Sequence, residues 1–423
     1  QDYFNEEETI ELKKTKTFLT KYKFKPEKIP EFKQKIKGHV SFLKKITNPN
    51  INIIYEGEHV HNIKNLFVTP LYLKIKDKPT YQNVGYVQSV KKDLESNSLS
   101  SNQMQASLFV WRDDNKEYKW GKDLTDIMDF KQTFSKSKLL LSFRKKFAKL
   151  SKKKKLKRLE QYSLVYATII RNILKNKGLH YVFFNLVAGS GAILFSKILS
   201  MFEITNVPLV DSAAIDKFND RHFQLENNPV AIGIPRVTEG INLENVEYIH
   251  ITTPSRHFNN SETSQAIARA IRLGSHDKLL EDRKTAIPVR IYKYVSIPVN
   301  MSNLEPVYDL SINYDQYLRA EIKDYNIKQI DRILMENSVD CQLNCKRNIK
   351  SDKDFSRDCE YNKCKYKCDG ITELNPVLDY STYNLYYADI SKILQKISEI
   401  FRTNFIQTFS QLLEKLKEYT NFN

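Results

Sequence analysis

Two short stretches of this chain carry residue types that could do chemistry on a phosphate. Residues 238–242 read Thr238-Glu239-Gly240-Ile241-Asn242. A glycine there lets backbone approach a ligand closely, while Thr238 and Asn242 offer hydrogen-bonding side chains. Further along, Gln265-x-x-x-Arg269-x-x-Arg272 spaces two arginines so that both fall on one helical face. Paired guanidiniums form a rigid forked cation, which suits a polyphosphate that is losing its terminal phosphoryl group. A third stretch, Gly189-Ser190-Gly191, reads as a strand-to-helix turn whose free backbone N–H groups favour a phosphate. A tight turn without ligand fits the same three residues.

Five cysteines, Cys341, Cys345, Cys359, Cys364 and Cys368, follow a C-x3-C-x13-C-x4-C-x3-C spacing. Four thiolates could hold Zn²⁺ tetrahedrally with one to spare; the alternative is a reduced, partly buried set in a small subdomain. An odd, bunched number fits a reducing compartment better than a disulfide framework. His250 and His276 read as structural, and no Ser-His-Asp or paired-carboxylate constellation stands out. No G-x-x-x-x-G-K-[ST] loop and no DExH-like acidic pair closing an apolar strand is found in the sequence.

The elements that must position these residues change character along the chain. Residues 1–29 are charged and poorly patterned, with breaks at Pro26 and Pro30, and are expected to form a helix. A second helix ends at Gly38. Short apolar alternations between 51 and 82 read as strands, and 91–133 is polar and turn-rich, with a serine-rich patch at 96–102 expected to be a mobile loop. The densest basic run follows, from Phe143 through Lys155, read either as a solvated helix face or as a nucleic-acid contact. From Leu159 to Ser296 helices and strands alternate, as a parallel α/β sheet requires: a helix over 162–174, strands at 181–184, 230–234, 248–251 and 289–292, and a helix from Gly191 through Leu199. Two amphipathic helices, 390–401 and 405–416, close the chain.

Composition agrees with a multidomain protein. The 423 residues are 41% hydrophobic and 12% aromatic, enough for real cores. The formal net charge of +17 and pI near 9.3 point to a polyanionic partner. A coding bias toward Lys, Asn, Ile and Tyr competes as the source of part of that charge. Neither a run of about 18 uncharged apolar residues nor a signal-peptide pattern is present, and the cytoplasm is the expected compartment.

The pairing of the 238–242 turn with the 265–272 helix resembles motifs V and VI in the second RecA-like domain of superfamily 2 helicases and translocases. A closer resemblance is to the helicase-like ATPases of large cytoplasmic DNA viruses, the asfarvirus and poxvirus group that includes the early transcription factor small subunit and nucleoside triphosphatase I. Lys37-Gly38-His39-Val40-Ser41-Phe42-Leu43, Tyr181-Val182-Phe183-Phe184-Asn185 and the run from Cys359 to Cys368 also look like that group. The resemblance covers most of residues 30–385 and is weak over 60–155.

It implies an α/β fold with a RecA-like second helicase lobe and the C-terminal part of a longer, ATP-dependent protein. ATP and Mg²⁺ would be bound together with a first RecA-like lobe that this chain lacks, so that the chain alone would be inactive. It assigns Arg269 and Arg272 as arginine fingers, with Gln265 beside them. Gly240 and Asn242 fall to the nucleotide, and Gly189, Ser190, Gly191 and Thr238 to the nucleic-acid strand. Ala268 stands where many helicases carry Gly, which bears on how closely helix and nucleotide meet. The implied partners are DNA or RNA and a viral RNA polymerase or transcription-factor subunit, in the host cytoplasm, its viral factories, or the virion. The implied layout is an interlobe linker (1–50), an inserted basic region (51–155), the RecA-like lobe (156–300), a Cys-containing subdomain (301–370) and a helical tail (371–423). A non-catalytic scaffold that recruits polymerase or promoter is the alternative.

Overall fold

A computed structural model of the protein describes residues 4–12, 17–44, 48–96, 100–124, 130, 138–235, 241–255, 259–349, 353–369, 381–404 and 406–417. The chain divides into two compact units, residues 1–370 and 371–423.

The first unit is built on an eight-stranded sheet. Its strands are β1 (Ile51–Glu56), β2 (Glu58–Val60), β3 (Ile63–Tyr72), β4 (Leu179–Phe183), β5 (Asn206–Pro208), β6 (Val230–Gly233), β7 (Val246–Ile251) and β8 (Ile287–Ile297). They lie in the order β5-β6-β4-β7-β8-β3-β2, and β1 also pairs with β8. Every pairing is parallel except β2 with β3. All residues of the central strands β4 and β6 are buried, so both read as unbroken apolar runs, the mark of a parallel sheet covered on both faces.

Helices supply that cover: α1 (Tyr81–Ser96), α2 (Ser101–Leu108), α3 (Lys138–Phe147), α4 (Lys152–Leu159), α5 (Leu164–Lys175), α6 (Ala192–Met201), α7 (Asn260–Ala270) and α8 (Ile312–Asn337). Because side chains alternate across a strand, the sheet carries two cores. Val182, Phe184, Val230, Ile232 and Tyr294 pack with α5, α6 and the anchors Phe147 and Leu159. Tyr181, Phe183, Ala231, Ile249 and Ile251 pack on the other face with Ala266, Ile267 and Ala270 of α7. This is a doubly covered, mainly parallel α/β architecture.

Several expectations change. Phe4–Leu12 and Thr17–Phe24 pair as antiparallel strands in place of a helix; Thr17-Phe18-Leu19-Thr20-Lys21-Tyr22-Lys23-Phe24 is rich in aromatic and β-branched residues, which favour strands. Residues 51–72 are not set apart from the lobe. β8 pairs with β1 through Tyr292 and with β3 from Tyr294 onward, so the strands read as part of an insertion complete the main sheet. The polar stretch around 91–111 holds much of α1 and all of α2, and Leu108, Phe109, Val110 and Trp111 are buried. Side chain to backbone bonds explain this: Gln82 Nε2 donates to Ser107 O (2.8 Å) and Asn83 Nδ2 to Val299 O (3.0 Å). Of the serine-rich patch, 97–99 lie outside the described residues. Asn102 and Gln103 are held by Asp93, whose carboxylate accepts both their backbone N–H groups.

The second unit contains the helices Ser381–Thr403 and Phe409–Lys417. No helix among the described residues is long and apolar enough to cross a membrane.

Candidate functional site

α7 begins where the Asn259 side chain accepts the Glu262 N–H. It ends at Ala270, two residues short of what the arginine spacing suggests. Arg269 sits in the last turn, only 9% exposed, while Arg272 lies beyond the helix and is exposed, as is Gln265. The two arginines therefore do not share one helical face. The physical reason is local: Ser275 donates both its N–H (3.1 Å) and its Oγ–H (2.7 Å) to the Arg272 carbonyl, and Gly274 at φ 85° turns the chain. Arg272 is left with no ion-pair partner among the described residues.

The end of the upstream turn meets this helix. Leu243 N–H donates to the Arg269 carbonyl (3.0 Å), and the Asn242 carbonyl accepts from Asn219 Nδ2 (2.8 Å). Asn242 is thus brought beside the last turn of α7, while Thr238 and Gly240 lie outside the described residues. Three buried polar atoms here lack a hydrogen-bond partner among the described residues: Arg269 Nε, Asn242 Oδ1 and the Tyr181 hydroxyl. Burial raises the Tyr181 pKa, and the Arg269 charge opposes that shift. Each unmet group costs about 1–3 kcal/mol, a cost that an oxyanion or ribose hydroxyl could relieve. Sequence reasoning missed Tyr181. Its signal was Gly233 on the neighbouring strand, where a Cβ would lie 2.4 Å from the Tyr181 hydroxyl.

The Gly189–Gly191 turn departs from expectation, because the Ser190 donors and the first N–H groups of α6 are engaged within the protein. Ser190 N–H donates to Gln105 Oε1 (2.8 Å), while Ala192 N–H and Ile193 N–H donate to the Leu186 and Val187 carbonyls (2.9 and 3.0 Å). Ser190 Oγ donates to Phe109 O (2.9 Å) and accepts from Gly121 N–H (3.2 Å); the Tyr166 hydroxyl reaches Ser190 O at 2.7 Å. All three residues are buried. The glycines are needed for packing: a Cβ on Gly189 would lie 2.9 Å from Gly121 Cα, and one on Gly191 2.2 Å from Leu186 O. The Ser190, Ala192 and Ile193 donors are therefore taken before any phosphate could claim them.

Zinc is not supported either. Cys341 is disulfide-bonded to Cys368 and Cys359 to Cys364, leaving Cys345 as the free thiol. Among the described residues no group of three or more His, Cys, Asp or Glu could hold a metal ion. With four sulfurs engaged in pairs, the four-thiolate set does not exist in this structure, and the expectation of reduced cysteines falls with it. The segment 353–369 is seated on α8 by Arg357 with Asp324 (2.9 Å) and by Arg332 Nη1 donating to Lys363 O (2.9 Å).

Both histidines near the site are structural. His276 Nε2 lies 2.7 Å from Val246 O, and His250 belongs to a ladder across β4, β7 and β8. Asn172 donates to the Tyr294 hydroxyl, so that hydroxyl donates to His250 Nδ1 (2.9 Å). His250 Nε2–H then donates to His180 Nδ1 (3.0 Å), and His180 Nε2–H to Asn176 O (3.3 Å). The direction of each bond sets the next, and both rings are neutral.

No family model matches the chain. "Putative helicase 087L" of Invertebrate iridescent virus 3 is 29% identical over 395 residues, 87% of this chain and 37% of that protein. The chain is related to helicase-named proteins of large cytoplasmic DNA viruses. "Putative helicase 009L" of Frog virus 3 is 28% identical, over 81% of this chain and 34% of its own length. "Putative ATP-dependent RNA helicase L377" of Acanthamoeba polyphaga mimivirus is 32% identical over 45% of this chain and 18% of its own length. The chain thus spans little more than a third of the first two relatives. One solved structure, the C-terminal part of the Fun30 ATPase domain, superposes at a TM-score of 0.32 with 15% identity, over 59% of this chain and 87% of that one, a likeness too slight to argue from.

Proposed function

We propose that this chain is the C-terminal motor region of a viral ATP-dependent nucleic-acid helicase or translocase that works in viral transcription. The observation that carries the reading is Arg269, a guanidinium nine-tenths buried with Nε unpartnered, beside the unpartnered carbonyl of the Asn242 side chain. A cation desolvated in this way interacts more strongly with phosphate oxygens than it would in water. The relatives named as helicases support the same reading.

Bound ATP would supply the phosphoryl group, and Mg²⁺ would supply positive charge to offset that of the phosphates. Arg269 would hold charge on the terminal phosphate from within the lobe, and the exposed Arg272 would meet it as that charge develops. Asn242 would orient the nucleotide through its free Oδ1, and Gln265 would face the same cleft. The residues that grip the β-phosphate would come from a first RecA-like lobe, so the 423 residues alone would not turn over ATP. Viral RNA polymerase or a transcription factor would be the protein partner, in host cytoplasm.

The test is nucleic-acid-stimulated ATP hydrolysis by the full-length protein. Loss of turnover on replacing Arg269 and Arg272 together is the expected result. Unchanged turnover in that variant overturns the proposal, as does turnover by the 423 residues alone.

A further inference from the structure

Residues 138–159 hold nine lysines, two arginines and no carboxylate. This segment carries +11 of the chain's formal +17, leaving +6 for the other 401 residues, so the excess is local, where a coding bias would spread it. The segment forms the two helices α3 and α4. They are firmly seated: Phe147 and Leu159 are buried in the core, Lys146 Nζ lies 4.7 Å from the Trp111 ring centre, and Arg158 Nη1 donates to Lys146 O (2.7 Å). Lys155 Nζ donates to Met201 O (2.9 Å), and Lys152 pairs with Glu203 (2.9 Å).

With the anchors accounted for, Lys145, Lys149, Lys153, Lys154 and Lys157 remain exposed and have no ion-pair partner among the described residues. Lys153 with Lys157 is a like-charge pair four residues apart within α4, which destabilises a helix unless an anion lies across it, and Lys149 follows the end of α3. The anchors belong to the core shared with α5 and α6, whereas α7 packs on the opposite face of the sheet. Beside the ridge lies a cleft of about 250 Å³, lined by Arg144, Phe147, Ala148, Lys155, Ser200 and Met201.

We propose that the α3–α4 ridge is a second nucleic-acid surface, which grips the phosphodiester backbone through these five lysines on the face of the sheet opposite the arginine helix. It takes from the functional reading only that the chain meets nucleic acid. Neither Arg269 nor ATP enters it. A backbone held there is kept on the protein whatever the state of the nucleotide cleft. The ridge reads no sequence, because lysines on phosphates position a strand without recognising its bases.

The experiment measures binding of fluorescent 20-mer duplex DNA and single-stranded RNA by anisotropy, without ATP, over a series of salt concentrations. Replacing all five lysines by Gln should reduce the steepness of the fall of log affinity with log salt by about 4.5 for duplex, at roughly 0.9 for each phosphate no longer neutralised, and by about 3.5 for a single strand, at roughly 0.7 each. The ligand whose slope falls is the one the ridge holds. The pair variant Lys153→Gln/Lys157→Gln should give about two-fifths of the effect and guards against a folding defect, checked by melting temperature. Replacing the exposed Lys37, Lys76, Lys78, Lys91 and Lys284 instead should leave the slope almost unchanged. An unchanged slope in the ridge variant, an equal fall in the control, or a weakening confined to binding of anionic vesicles overturns the proposal. Because no hydrolysis is read, a failed ATPase test leaves this result interpretable.

Discussion

The turn at Gly189–Gly191 and the last turn of α7 look alike in sequence, since each combines backbone and side-chain groups suited to phosphate. They differ in what those groups already touch. At the turn, the Ser190 N–H is taken by Gln105, and the first N–H groups of α6 by the preceding carbonyls. At α7, Arg269 Nε, Asn242 Oδ1 and the Tyr181 hydroxyl are buried and unmet among the described residues. A group saturated by its own protein builds structure, whereas one left unmet has capacity for a ligand and costs stability until the ligand arrives.

The sharpest way to break this contrast is Arg272→Ala in the full-length protein. The expected loss is on the order of 10³-fold in kcat, about 4 kcal/mol, with nucleic-acid binding near normal. Lys at 272 should rescue little, because a point charge lacks the planar fork. If binding is lost while basal hydrolysis survives, the residue belongs to the nucleic-acid track.

The next largest effect concerns the saturated ladder. Burial holds the His180 pKa down to about 4 and that of His250 well below its usual value. The unfolded chain takes up protons near pH 6.5 and the folded chain does not, so unfolding binds protons between about pH 6.5 and 4. Stability is therefore full above pH 6.5 and falls as the solution is acidified through that window, by about 3 kcal/mol for His180 alone. Urea midpoints measured from pH 7.5 to 4.5 should drop accordingly, and a flat profile would show that the rings take up protons as readily in the fold as in the unfolded chain.

Ser190→Ala comes third. It removes the acceptor of Gly121 N–H and should cost about 1–3 kcal/mol, read as a lower melting temperature, without changing affinity for DNA. Weakened DNA binding at an unchanged melting temperature would restore the phosphate role. The smallest effect is expected at Tyr181→Phe. Deleting an unpartnered buried hydroxyl should leave stability unchanged or raise it by about 1 kcal/mol. A loss of that size would mean that the hydroxyl has a partner in solution.

The same distinction governs how much could be read before the fold was known. The helix at 164–175 and the strands at 179–183, 230–233 and 246–251 lie close to where periodicity places them, since each is decided by neighbours a few residues away. The strand pair Phe4–Leu12 and Thr17–Phe24 was missed because charged residues blurred a period of two.

From the sequence alone came the alternating α/β pattern, the concentrated charge of 138–159, and the presence of two arginines beside a glycine turn. Only the tertiary structure decided which of the phosphate-suited groups remain unmet. Gln105 reaches Ser190 from 85 residues away, Cys341 meets Cys368 across 27, and β8 draws β1 and β3 into the main sheet from more than 200 residues upstream. Such partners are chosen by packing across the sheet, and no local pattern of side chains records whether a hydrogen bond will be filled from so far along the chain.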